Sequence, residues 1–172
     1  MQGTGMTENV RELVTLLDDE AEVYRALLAV VVREREALRR AQVEPVRDLQ
    51  TEKERLLGRL RTLEDRRGRL VDILAQACGC RPEDLTVTRV AGRAPAGQRS
   101  ELLRCRDALV EATERFRQEN RRTALLLKHA GELLQSSYRV LKGLAARCGP
   151  VYQRGGRLQG TRLQGKLVCS NV

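Results

Sequence analysis

Three long stretches of this chain place side chains of one kind at alternating steps of three and four, and proline or glycine punctuates each stretch. In the first, Val10, Val14, Leu17, Ala21, Tyr24, Leu28, Val31 and Leu38 keep that rhythm, which is broken at Arg35. In the second, Val46, Leu49, Lys53, Leu56, Leu60, Leu63, Arg67, Leu70, Leu74 and Ala77 keep it. The third carries Leu102, Cys105, Leu109, Ala112, Phe116, Thr123, Leu127, Ala130, Leu134, Ser137, Leu141, Leu144 and Cys148. A mean spacing near ~3.5 residues marks helices that pack side by side along a seam. Lys53 and Arg67 occupy seam positions, so their stems are expected to lie along the apolar groove while their heads reach water.

The breaks set the boundaries. Thr7, followed by Glu8, reads as the N-cap of a first helix over residues 7–41. Pro45 fits the first turn of a second helix over 45–78, and Gly79 suits its left-handed cap. Residues 79–99 hold Pro82, Gly92, Pro95 and Gly97 and read as a loop with a short helical turn at 82–85. A third helix over 100–148 starts with the Ser100 hydroxyl as cap and stops at Gly149-Pro150. Helices of this length run roughly 50 to 70 Å at 1.5 Å per residue, longer than a small globule is wide. The expected fold is therefore all-α: an elongated antiparallel three-helix bundle, made of a coiled-coil hairpin with a long third helix alongside. Residues 1–150 form that bundle domain. Residues 151–172, with the repeats Arg157-Leu-Gln-Gly160 and Arg162-Leu-Gln-Gly165, read as a basic flexible tail.

Composition restricts what such a bundle does. Four aromatics (Tyr24, Phe116, Tyr138, Tyr152) among 172 residues argue against a sandwich or barrel. A single histidine, His129, removes the commonest acid–base catalyst, and helical spacing places it on a polar face. Most acidic residues have Arg or Lys neighbours at helical spacing, which reads as a solvated charged face. The reading is non-enzymatic, with no cofactor and no metal. Gly160 to Lys166 matches the phosphate-loop spacing, but Leu167 stands where a hydroxyl is needed. Cys78-Gly-Cys80 lacks further metal ligands at matched spacing. The five cysteines are expected to be reduced thiols. Met1–Val10 is polar, and the longest apolar run, Ala26–Val32, is far shorter than the roughly 20 residues that span a bilayer, so a cytoplasmic protein with no stable membrane insertion is expected.

The net charge of +9 is unevenly spread. Residues 1–44 carry nine acids and six bases, and residues 45–132 carry fourteen acids and nineteen bases. From Leu133 onward there are seven bases (Arg139, Lys142, Arg147, Arg154, Arg157, Arg162, Lys166) and no acid. Such an end attracts nucleic acid, anionic lipid or an acidic protein surface, and charge alone does not choose among them.

The late third helix is apolar around more than one narrow stripe: Leu125, Leu126, Leu127, Leu133, Leu134, Val140, Leu141 and Leu144. The surplus either receives a partner helix in a groove or packs against two helices of the bundle. Tyr152, just past the helix stop, is either a docking anchor or a cap folded back on the helix end.

Taken in order, these segments resemble the FlgN-type flagellar export chaperones. The likeness rests on Thr51-Glu-Lys-Glu-Arg-Leu-Leu57 early in the second helix, the glycine-ended break, Arg117-Gln-Glu-Asn120 followed by Leu125-Leu-Leu127 and Leu141, and Tyr152-Gln-Arg-Gly-Gly156. The basic tail and the loop at Val90–Gln98 are longer than the family pattern. The resemblance implies a cytoplasmic chaperone that holds C-terminal helical segments of the hook-associated junction proteins FlgK and FlgL. It would prevent their premature assembly and deliver them to the type III export gate. It implies substrate contacts at Leu126, Leu133, Val140, Leu141 and Leu144, and docking of Tyr152 to the cytoplasmic domain of the gate. Two other readings stay open: a coiled-coil scaffold or oligomerisation module, and a nucleic-acid binder acting through the basic tail. The balanced body and the lack of basic–aromatic interleaving weigh against nucleic acid.

Overall fold

In the computed structural model the chain is helical over Gln2–Arg39 (α1), Val43–Cys78 (α2), Val87–Arg93 (α3) and Ala96–Arg147 (α4), with a 3-10 turn at Pro82–Asp84. The structure describes residues 2–147, 151–152 and 158–159, and the side chains of residues 5–42 and 44–144. Residues 1–127 and 128–172 form two compact units.

The first unit is built on the α1–α2 hairpin. α1 carries two adjacent seams where the sequence reading found one. The row Val10, Val14, Leu17, Ala21, Tyr24, Val31 faces α4, as the Tyr24–Phe116 ring pair at 5.8 Å shows. The row Leu13, Leu16, Glu20, Val23, Leu27, Val30, Glu34, Ala37 is buried and faces α2. That second row explains the basic seam positions of α2. Arg67 Nε donates to Glu20 at 2.7 Å, and Lys53 Nζ donates to Glu34 at 3.1 Å. The heads of Lys53 and Arg67 thus end on buried carboxylates, which corrects the expectation that they reach free water. Glu20 and Glu34 are likewise exceptions to the solvated face. The two pairs sit two heptads apart on each antiparallel helix, so both demand one and the same register. Paired buried charges are at their best as devices of register, since a slip would leave carboxylates buried alone.

The hairpin turns at Arg40–Gln42. Ala41 adopts φ 53°, and Gln42 N–H returns to the Ala37 carbonyl at 3.0 Å, closing the end of α1 with a non-glycine left-handed residue. At the far end of α2, Gly79 takes the left-handed cap as expected, with φ 62°, its N–H on Gln76 O and Cys80 N–H on Ala75 O.

Differences from the expected boundaries have local causes. α1 runs through Thr7 from Gln2, and Met6 packs on the core ahead of it. The segment expected as a loop over 79–99 contains α3 as well as the short turn. Thr86 caps α3, its Oγ1 accepting from Arg89 N–H at 3.2 Å, while Val90, Ala91 and Ala94 are buried. α4 starts at Ala96, directly after Pro95, so Ser100 lies inside the helix and its hydroxyl donates to Gly97 O at 2.9 Å. Arg99 ties the two helices by donating to the Ala91 and Gly92 carbonyls that end α3.

The first stretch of α4 lies parallel to α1. Gln98 Nε2 donates to Thr7 O, Phe116 meets Tyr24, and Glu119 pairs with Arg35. Leu102, Cys105, Ala112 and Thr123 are buried along this stretch. Burial pushes the Cys105 thiol above its ordinary range, so it packs as a small apolar group. Cys78, Cys80 and Cys105 are free thiols, while Cys148 and Cys169 lie outside the described residues. In the second unit α4 continues to Arg147, and Val151–Tyr152 pairs antiparallel with Leu158–Gln159. The rest of the expected flexible tail lies outside the described residues.

Candidate partner-binding face

α4 is continuous because most of its residues are strong helix formers, among them Ala, Leu, Arg, Glu and Gln. Gly131 and Gly143 lie in its interior with open space around them, each costing about 1 kcal/mol relative to alanine. The strong helix formers on either side of these glycines favour the helix through them.

The spacing rule does not change along α4. Leu102, Cys105, Leu109, Ala112, Phe116, Glu119, Thr123, Leu126, Ala130, Leu133, Ser137, Val140 and Leu144 alternate threes and fours throughout. What changes is the cover. Glu119 accepts from Arg35 and, at 2.6 Å, from Arg122, and Thr123 is 2% exposed. The hairpin turns a few residues past Arg35. Every residue from Ala124 to Leu144 is exposed.

At the end of the first unit Leu125, Leu126 and Leu127 are exposed, Leu126 least. In the second unit Leu133 is 68% exposed, Val140 62%, Leu141 65% and Leu144 54%. The residues expected to touch a partner, Leu126, Leu133, Val140, Leu141 and Leu144, thus all lie on α4 as exposed side chains. Beside this seam runs a second apolar line, Leu127, Leu134, Tyr138 and Leu141, of which Leu134 is 73% exposed. Together they span roughly 160° of the circumference at 100° per residue, wider than the narrow stripe of a simple coiled coil. Tyr138 had gone unnoticed as part of this face. Its signal was its step of four from Leu134 and three to Leu141.

Isolated exposed apolar residues are ordinary on any surface, and Val32, Ile73 and Val110 are of that kind. A periodic run over several turns is not, and is a candidate surface for a partner. The chemistry such a face offers is burial and shape. His129 is exposed as the sequence suggested, and with Glu132, Leu133 and Ser136 it lines a shallow depression. Among the described residues no group of three or more His, Cys, Asp and Glu is placed to hold a metal ion. Among them, too, no helix is long and apolar enough to cross a membrane. Tyr152 is the first strand's second residue, paired with Leu158, and its side chain lies outside the described residues.

The sequence model of one protein family, described as FlgN protein, matches residues 6–160. Neither a curated relative nor a solved structure matches the chain.

Proposed function

The chain belongs to the FlgN family of flagellar chaperones, and from that premise we propose that it holds C-terminal helical segments of the hook-associated junction proteins FlgK and FlgL in the cytoplasm and delivers them to the type III export gate. The observation that carries this reading is the uncovered apolar run of α4, with Leu126, Leu133, Val140, Leu141 and Leu144 exposed. A junction-protein helix with an apolar side would seat on it as a helix in a groove. In this reading the exposed stretch of α4 is the part offered to substrate. Reversible cover of that kind keeps an assembly-prone helix out of premature contacts, and no bond needs to be made or broken.

Tyr152 is the residue assigned to docking on the cytoplasmic domain of the gate. The bases Arg154, Arg157, Arg162 and Lys166 beside it speed encounter with an acidic surface. Tyr152→Ala is expected to spare substrate capture and to weaken gate docking, and unchanged affinity for the gate domain would sink that assignment.

The deciding experiment mixes the full chain with C-terminal fragments of FlgK and FlgL and looks for a stoichiometric complex by sedimentation. Leu133→Asp or Leu141→Asp abolishes the complex and leaves circular dichroism unchanged. Collapse of helicity in those variants would mean the residues are core. A defined dimer without any partner would favour the scaffold reading instead.

A further inference from the structure

Different forces hold α4 along its length. Up to Thr123 its seam is buried at Leu102, Cys105, Ala112 and Thr123, and Glu111–Arg115 and Glu119–Arg122 pair on its surface. From Ala124 to Leu144 every residue is exposed. Among the described residues the only side-chain hydrogen bond of that stretch is Ser136 Oγ donating to Leu133 O at 2.9 Å, and no ion pair forms there. A serine bonded back to its own helix competes with the backbone ladder and adds no support. Late α4 therefore depends on propagation from the anchored stretch and on the preferences of its own residues.

Those preferences change at Gly131. Residues 124–130 are Ala, Leu and Lys with one His, and they carry the helix onward. Beyond them Gly131, Ser136, Ser137, Tyr138, Val140 and Gly143 are middling or poor helix formers. Neither glycine has a positive φ, and a Cβ added at either meets nothing within 4 Å. Backbone shape and packing thus do not call for glycine, yet each shifts the local equilibrium about five-fold toward coil relative to alanine. α2 carries Gly58 and Gly68 in equally open positions, but Leu56, Leu60, Leu63 and Leu70 beside them are buried, and that burial outweighs them. Late α4 lacks this compensation. Its Leu, Ala, Lys and Arg residues bring propagation to about unity per residue, where helix and coil are close to balance.

We propose that residues 131–147 are a local folding switch. In the free chain this stretch passes between helix and coil while α4 up to Ala130 stays helical, and capture of a partner helix completes α4 to Arg147. Completion on capture rests on the chaperone reading; melting in the free chain does not. A stretch that must order as it binds holds its partner less tightly than a preformed one, by the fraction of time the helix is formed. Gly131 and Gly143 thereby set how firmly a captured helix is held and how readily it is released. Residues 131–147 are about a tenth of the chain, so their melting leaves its overall circular dichroism almost unchanged.

The test is amide hydrogen exchange of the full chain, read by mass spectrometry on peptides from the two stretches of α4. In the free chain residues 131–147 are expected to exchange within about 3-fold of the coil rate, with residues 102–123 protected by orders of magnitude. Equal protection of the two stretches overturns the proposal. Gly131→Ala/Gly143→Ala is expected to raise protection of 131–147 about 10-fold and to leave 102–123 unchanged. No rise in that variant overturns it as well. With a C-terminal fragment of FlgK or FlgL added, 131–147 becomes protected, and the double variant captures the fragment about 3-fold more tightly. A complex that forms without new protection of 131–147 overturns completion on capture. Failure of either fragment to bind counts against the chaperone reading alone, and the exchange pattern of the free chain still decides the switch.

Discussion

Leu102, Cys105 and Ala112 on the first stretch of α4 are buried, whereas Leu133, Val140 and Leu144, set by the same alternation of threes and fours, are each more than half exposed. One helix and one spacing rule thus have two outcomes. The difference lies in the partners, because α1 supplies Tyr24 and Arg35 against the first stretch and turns back at Arg40–Gln42. The proposed chaperone function rests on that difference: an apolar seam left exposed is read as addressed to another molecule. Periodicity in the sequence reports that a helix has an apolar face; whether the face is core or docking surface depends on chain lengths elsewhere.

The sharpest way to break this comparison is a matched pair of truncations. Leu102→Ala removes a fully buried side chain and is expected to cost about 3 kcal/mol in denaturant unfolding, with no direct effect on partner capture. Leu133→Ala is expected to change stability by less than about 0.5 kcal/mol, while weakening capture of a junction-protein fragment at least ~10-fold. Equal destabilisation by the two would mean the second stretch of α4 is covered in solution.

A step smaller is the effect of the buried charges that fix the hairpin. Arg67→Met leaves Glu20 buried without its cation and is expected to lower the unfolding free energy by about 2 kcal/mol, reduced from the fully buried case because Arg67 is partly solvated. The double variant Glu20→Leu/Arg67→Leu should recover most of that loss. Neither touches the exposed stretch, so fragment capture at a temperature where the chain is folded should be unaltered. Loss of capture in Arg67→Met would show that register in the hairpin is felt along α4.

These pairs also show where the sequence was legible and where it was not. Three long helices, the Gly79 cap and the apolar surplus of late α4 follow from spacing and punctuation, which are local. The second seam of α1 escaped because Glu20 and Glu34 occupy two of its positions, and acids on a helix read as surface. Their burial becomes visible only when Arg67 and Lys53 are brought across from α2. α3 escaped for a different reason: Gly92 and Pro95 mark its end, yet they read as loop before Thr86 is recognised as its cap. On the candidate face, the leucines were legible as a group but their exposure was not, since the same pattern suits a helix packed between two others.

Glu20 gives a pH-dependent reading of the covered side alone. Burial pushes its carboxyl above the ordinary range, outweighing the opposing pull of Arg67, with Glu64 adding to the rise. The folded state therefore holds a proton at pH values where the unfolded chain has released it. Stability contributed by this group is largest below the ordinary carboxylate range and declines as pH rises through the raised folded value. Chemical denaturation from pH 4 upward should show that decline, and Glu20→Gln should flatten it while leaving fragment capture unchanged at every pH. A slope unchanged by Glu20→Gln would assign it to other groups.

The smallest effect is expected at the boundary itself. Thr123 is the last buried residue of the α4 seam, and its hydroxyl has no hydrogen-bond partner among the described residues. A buried hydroxyl without a partner carries its full desolvation cost, and valine matches its shape without that cost. Thr123→Val is therefore expected to raise the unfolding free energy by about 0.5–1 kcal/mol, with helix propensity nearly unchanged because both residues are β-branched. Leu126, one seam position further on, stays exposed in either case, so fragment capture should not change. If Thr123→Val tightened capture, the seam would be closing cooperatively across the boundary, and the two stretches of α4 would behave as one element. If it destabilised the chain, the hydroxyl would have a partner in solution, and the covered stretch would end before Thr123.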